Sequence, residues 1–153
     1  MKSQAERLGT RFLVMKDKAM KIPLPSIADQ QHFINEQATR QAIATLEENL
    51  KAPKLSPPNE IDENQYSRAH LLREGEGWEP PHQDIVCVYF SHFQKHFPQF
   101  NSDNTLGALL GTSGHRIREF KQGRKMPYGI WRKFLVMTGR APQDVLKVLA
   151  RIG

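Results

Sequence analysis

Cysteine is almost missing from this 153-residue chain, with Cys87 standing alone. A lone thiol excludes an internal disulfide and any multi-cysteine zinc site, and it points to a reducing cytoplasm. Long hydrophobic runs are also missing. The longest, Ile85 to Phe90, spans six residues, against the roughly 20 needed to cross a bilayer, so no membrane partner is expected. The N-terminal Met1-Lys2-Ser3-Gln4-Ala5-Glu6-Arg7 runs into mixed charge with no apolar segment and no small-residue cleavage site, so no secretory signal is expected. Paired carboxylates, a nucleophile beside a base and a phosphate-cradling glycine loop are all lacking at usable spacing. The expectation is therefore a protein without catalysis and without a cofactor.

What is present is the composition of a soluble globular protein, 39% hydrophobic and 25% charged, with a net charge of +6. That charge is unevenly placed. Residues 1–77 carry 11 basic and 11 acidic side chains, whereas residues 78–153 carry 11 basic against five acidic, so the excess belongs to the second half. Between Asn104 and Arg140 lie eight basic residues (Arg116, Arg118, Lys121, Arg124, Lys125, Arg132, Lys133 and Arg140) and one acid, Glu119. A local +7 is the footprint of a polyanion binder or of a solvated basic surface; charge alone does not separate the two.

Hydrophobic spacing sets the expected elements. Leu8, Phe12, Met15 and Ala19 suit a short helix over Ser3 to Met20, which Gly9 and Thr10 weaken. Pro23 and Pro25 interrupt it. Ser26, with Asp29 three residues on, is an N-cap signal for a long amphipathic helix from Ile27 to Leu50, whose stripe runs Ile34, Ala38, Ala42, Leu46, Leu50. That stripe must bury against the rest of the chain or a second copy. Heptads are too few for a coiled coil. Residues 53–82 carry five prolines and the Glu74-Gly75-Glu76-Gly77 run, and read as a linker with a short helix near Tyr66 to Arg73. This divides the chain into a helical region 1–52 for partner binding or dimerisation, the linker 53–82, and a domain 83–153.

From Gln83, the apolar residues Ile85, Val86, Val88, Tyr89, Phe90, Phe93 and Phe97 are too dense for a one-sided stripe and predict a helix buried on most sides, with a strand as the rival. Asn101-Ser102-Asp103-Asn104 is then a cap and turn cluster. In the stretch Thr105 to Gly123, Gly107 supplies a small contact, Gly111 a turn, and Leu106, Leu110, Ile117 and Phe120 an apolar lock. These are the spacings of a helix-turn-helix. Ser113 caps the second helix, which presents Gly114, His115, Arg116, Arg118, Glu119 and Lys121 to solvent. Trp131, Phe134 and Leu135 read as core on a covering helix. Tyr128, opening that helix, stays ambiguous between core and a stacking platform. A final helix is expected over Pro142 to Ile152, with Val145, Leu146, Val148, Leu149 and Ile152 on its apolar face. His92 and His96 sit four apart but lack both an HExxH pattern and a cysteine cluster, so they read as partly exposed histidines and no metal site is expected. Cys87 reads as an inert buried thiol.

Leu106 to Gly123, with Arg124-Lys125-Met126-Pro127 and the helix that follows, resembles the lambda-repressor-like (Cro, XRE-type) helix-turn-helix domain. Phe120 stands where that family has Trp or Leu. The segment Met126-Pro127-Tyr128-Gly129-Ile130-Trp131 resembles a variant with a Pro-Tyr-x-x-Trp motif found in regulators of phages and other mobile elements. The resemblance covers residues 78–153. It implies an all-α bundle, preceded here by a helical N-terminal region, whose second helix enters the major groove of double-stranded DNA. Carried over by position, Gly114, His115 and Glu119 fall where bases are read, Arg116 and Arg118 reach bases or phosphates, and Arg124 and Lys125 grip phosphate. Asp103 departs from the pattern, standing where a phosphate-binding Gln is usual. The function implied is a cytoplasmic homodimeric transcriptional regulator, a repressor. The alternative is an accessory factor of a mobile element that binds a protein through its N-terminal helices and only tethers itself to DNA.

Overall fold

A computed structural model of the chain describes residues 11–14 and 21–153. The described residues are mostly helical, in line with an all-α class, and carry one two-stranded hairpin. The chain divides into two compact units, residues 1–55 with 148–153, and residues 56–147.

In the first unit, β1 (Arg11–Val14) pairs antiparallel with β2 (Lys21–Leu24), with Arg11 opposite Leu24 and Val14 opposite Lys21. The helix expected over Ser3 to Met20 is therefore a strand at Arg11–Val14; the rest of that expectation lies outside the described residues. A run of aromatic, β-branched and leucine residues with a complementary run seven residues on is better served by strand pairing than by a helix already weakened by Gly9 and Thr10. Pro23 is tolerated because a two-stranded sheet is all edge. The long helix α1 (Ile27–Asn49) forms as expected: the Ser26 hydroxyl accepts from the Asp29 amide at 3.1 Å and donates to its carboxylate at 2.7 Å. No residue of α1 is buried.

The second unit is built on four helices, α2 (Gln83–His96), α3 (Asp103–Leu110), α4 (Gly114–Lys121) and α5 (Tyr128–Met137). The dense apolar run from Ile85 forms α2, a helix and not a strand. His82 caps it by accepting from the Asp84 amide, and the turn Pro98–Phe100 follows. Ile85, Val86, Tyr89, Phe90 and Phe93 of α2 meet Leu106 and Leu110 of α3, Ile117 and Phe120 of α4, and Trp131, Phe134 and Leu135 of α5 in one buried cluster. Trp131 is its centre, stacked on Tyr89 at 5.8 Å and Phe134 at 5.4 Å.

The proline-rich stretch read as a linker packs, from Ser56 onward, as an irregular wrap on these helices. It contains short 3-10 turns at Glu63–Gln65, Ala69–Leu71 and Glu74–Glu76, and the middle one stands in place of the short helix expected near Tyr66 to Arg73. Ile61, Tyr66, Leu71 and Trp78 lie against the core, and His70 is buried in it. The final helix expected over Pro142 to Ile152 does not form, and these residues have no regular structure. Gly139, at φ +70°, ends α5. Asp144, which would sit in the first turn of the new helix, is held instead by Arg73 at 2.9 Å and Arg132 at 3.1 Å. The apolar residues that would have driven the helix meet no surface: Val145, Leu146, Val148, Leu149 and Ile152 stay 73% to 96% exposed.

His70 is the polar element of the core. Its Nδ1 accepts from the Trp131 indole N–H at 3.2 Å, which fixes the neutral ring with its proton on Nε2. Burial, helped by the charges of Arg68 and Arg140, pushes its pKa down from 6.5 to about 4. Below pH 6.5 the unfolded chain takes up a proton that the folded chain refuses, so this contribution to stability is whole above pH 6.5 and is lost as pH falls towards 4. The loss expected from this one site is about 3 kcal/mol. Urea unfolding followed by tryptophan fluorescence at pH 7.5 and 4.5 measures it. His70→Asn, whose side-chain oxygen can accept the same bond without titrating, is expected to show a smaller pH dependence by about that amount.

Candidate nucleic-acid interface

The two eight-residue helices α3 and α4 are joined by Gly111-Thr112-Ser113. Gly111 sits at φ +80°, a left-handed conformation suited to glycine, and closes α3. Thr112 N–H then bonds back to the Gly107 carbonyl at 2.8 Å. Ser113 caps α4 as expected, its hydroxyl accepting from the Arg116 amide at 3.1 Å. The helices cross so closely that two glycines are required. A Cβ on Gly107 would lie 2.7 Å from the Ser113 carbonyl carbon, and one on Gly114 would lie 1.9 Å from the Asn104 Oδ1 and 2.9 Å from its amide nitrogen.

Gly114 is therefore buried against α3 and does not face solvent; its missing side chain serves packing. Lys121 is likewise no free surface cation. Its ammonium bonds Asp103 at 2.7 Å and Gln94 at 3.1 Å, joining the C-terminal end of α4 to the start of α3 and to α2. Burial raises the Asp103 carboxyl, but the bonds from Lys121 and Gln94 outweigh it and hold the group below its usual range. The Asp103 carboxylate is thus neutralised within the fold. The Lys121 carbonyl in turn accepts from the Gln83 amide at 3.0 Å and from the Cys87 thiol at 3.1 Å, so α4 is tied down at its far end as well. Cys87 is partly buried, and burial raises its thiol pKa, consistent with an unreactive group.

The remaining expected residues of α4 lie outward. His115, Arg116 and Arg118 are exposed, with Glu119 half-buried between partners. Glu119 accepts from Arg124 at 2.6 Å and lies 2.9 Å from the His115 Nε2. The Arg124 hydrogen bond is the main reason its carboxyl sits below the ordinary range. Arg124 and Glu119 thus compensate each other, while Lys125 stands exposed beside them in sequence. Of these pairings only that of Glu119 with His115, four residues before it on α4, follows a spacing that the sequence displays; Arg124 lies past the helix end, where spacing carries no such signal.

Three of the eight basic residues between Asn104 and Arg140 turn inward. Besides Lys121, Arg132 is buried on Asp144 and the Pro142 and Leu71 carbonyls, and Arg140 covers the Tyr89 ring at 3.9 Å. Tyr128 is half-buried, edge-on to Trp78 at 5.2 Å. His92 and His96 stack at 4.3 Å, with the His92 ring nitrogen 2.9 Å from the Ser56 carbonyl. Among the described residues no three His, Cys, Asp or Glu side chains gather to hold a metal, and no helix is long and apolar enough to cross a membrane.

No protein-family model matches the chain, and no curated protein or solved structure shows significant similarity to it.

The crossing makes a sharp prediction. Gly107→Ala drives a methyl into the Ser113 backbone and is expected to cost about 2–3 kcal/mol of stability, the range of overpacked sites. Gly114→Ala meets the Asn104 backbone nitrogen at 2.9 Å as well as its side-chain amide, so it is expected to cost about as much. Gly129→Ala meets nothing within 4 Å and is expected to be neutral or to stabilise by up to about 1 kcal/mol. Chemical denaturation of the three variants gives the order directly.

Proposed function

We propose that the four-helix unit is a lambda-repressor-like helix-turn-helix domain that binds double-stranded DNA with sequence preference, and that the chain acts as a transcriptional repressor. The observation that carries this reading is the mounting of α4. The helix is locked by a glycine crossing at its start and by the Lys121 bonds to Asp103 and Gln94 at its end, and it turns His115, Arg116 and Arg118 to solvent. A rigid helix with exposed arginines near its N-terminal half suits a major groove, where Arg can bond guanine O6 and N7 together. Arg116 and Arg118 stand outside the ion pairs found among the described residues, so they have no internal partner to give up on binding. In this reading Ser113, at the start of α4, and Lys125, past its end, meet phosphates.

Glu119 has a separate part in this reading. A carboxylate on a DNA-facing helix repels phosphate, and here it also holds Arg124 and His115. It therefore lowers affinity for DNA of any sequence and leaves discrimination to the arginines, unless a cytosine amino group is present to satisfy it.

A titration of genomic fragments over a range of salt tests the proposal; if no fragment outbinds random DNA at any ionic strength, it fails. Arg118→Ala is expected to lose about 1–3 kcal/mol on the preferred site and to flatten the preference at one base pair. Lys125→Ala is expected to weaken all sequences alike and to reduce the salt slope by about one. Glu119→Gln is expected to tighten binding to random DNA several-fold while narrowing the gap to the preferred site, read from the same competition assay.

A further inference from the structure

The irregular 56–82 wrap enters the interior of the second unit at a single residue. Ile61, Tyr66, Leu71 and Trp78 are only partly buried against the core, and His70 is the one buried residue of the wrap, 4% exposed. The bonds that hold the wrap from within gather on the turn Ala69–Leu71. The Trp131 indole donates to the His70 Nδ1 at 3.2 Å, the Trp78 indole to the His70 carbonyl at 3.2 Å, and Arg132 to the Leu71 carbonyl at 3.4 Å. Trp78 and Trp131 are the only tryptophans of the chain, so both indole N–H groups end on this histidine. The buried hydrophobic residues, by contrast, all lie between Ile85 and Ala141. The helices keep that core whether or not the wrap is in place.

We infer that the wrap is an acid-released strap: a proton on the His70 Nδ1 detaches it from α2 and α5 while the four helices stay folded. The protonated nitrogen carries an N–H that meets the Trp131 indole N–H, donor against donor. The charged groups around the ring do not offset the new charge. Arg68 lies on the wrap beside it and Arg140 comes in from beyond α5, both cationic. Arg132 of α5 is engaged on Asp144, and Tyr89 of α2 packs edge-to-face with the imidazole at 6.1 Å. Glu63, an acid of the wrap itself, accepts from the Tyr89 hydroxyl and faces Arg140. Burial, with the two arginines, already holds the His70 pKa down at about 4. Two further histidines touch the ends of the wrap. His92 has a ring nitrogen 2.9 Å from the Ser56 carbonyl, and protonation leaves that nitrogen a donor. His82 lies 5.0 Å from the Tyr66 ring and accepts from the Asp84 amide, while the Asp84 carboxylate accepts from the Tyr66 hydroxyl at 2.7 Å. Neither is buried, so only His70 needs the wrap to open before it takes up its proton. Below pH 6.5 the open wrap binds a proton that the closed one refuses, and the opening constant rises about ten-fold per pH unit, roughly a hundred-fold by pH 4.5.

The inference stands apart from the DNA reading and is tested without DNA, by proton–nitrogen correlation NMR on the full chain as pH is lowered from about 7.5 to 4. The two indole signals and the backbone amides of Ala69 to Leu72 are expected to move together to the positions of an unfolded segment, at a pH where the amides of Leu106, Ile117 and Phe134 keep their native positions. His70→Asn, whose oxygen accepts the Trp131 bond without titrating, is expected to keep the wrap closed over the whole range. His92→Gln and His82→Asn leave His70 in place and are expected to open at the wild-type pH, which keeps the test decisive if His70→Asn does not fold. Loss of wrap and helix signals at one common pH, indole signals that hold their positions down to pH 4, opening of His70→Asn at the wild-type pH, or an opening pH that moves with His92→Gln or His82→Asn overturns the inference.

Discussion

The close crossing of α3 and α4 is the constraint on which the second unit turns. Gly107 and Gly114 let the start of α4 lie directly on α3, with the Ser113 carbonyl and the Asn104 amide where side chains would otherwise be. Once the backbones are that near, Leu106, Leu110, Ile117 and Phe120 reach a common core with α2 and α5. Asp103, at the start of α3, and Lys121, at the end of α4, come within hydrogen-bond distance. A looser crossing would leave α4 hinged on its three-residue turn. The observed one fixes the direction in which the exposed Arg116 and Arg118 leave the helix.

Charge is a weaker guide here than its formal sum suggests. The eight basic residues between Asn104 and Arg140 divide between structural and exposed roles. Lys121 holds Asp103, Arg132 holds Asp144 and two carbonyls, and Arg140 lies over the Tyr89 ring. Arg124 is balanced by Glu119. Arg116, Arg118, Lys125 and Lys133 remain exposed. The inward residues serve the fold: the buried Arg132, with several acceptors, ties Leu71 of the irregular 56–82 wrap and the 142–144 segment to α5.

The readable parts of this chain were those governed by local rules. Ser26, Ser102 and Ser113 announce helix starts and each accepts the expected amide; the dense apolar run from Ile85 yields a buried helix; Gly111 turns the chain. The framework glycines and leucines of α3 and α4 fell at positions that could be named from spacing. What escaped was set by tertiary partners. Gly114 counted as outward because it follows a cap, yet it faces Asn104. Lys121 counted as a surface cation because helical geometry does not reveal that Asp103, eighteen residues earlier, will fold beside it. The 53–82 stretch looked like a linker because proline removes regular structure, but proline does not prevent packing: Trp78 and Ile61 still find the core. The 142–152 pattern had helical period without a surface to meet, and period alone does not make a helix.

The same rule applies with more force to α1. Its caps and its one internal ion pair are worth little beside the conformational entropy of ordering 23 residues, and its alanines, favourable as they are for helix formation, contribute at best a few tenths of a kcal/mol each over the polar residues between them. No residue of α1 is buried, and its large apolar side chains do not share one face: Ile34 lies near the line of Ala38 and Ala42, whereas Phe33 and Ile43 fall on the far side of the helix, each more than half exposed. Apolar residues spread in this way cannot be covered by a single packed surface, so among the described residues the order of α1 rests on its cap, its ion pair and its propensity alone.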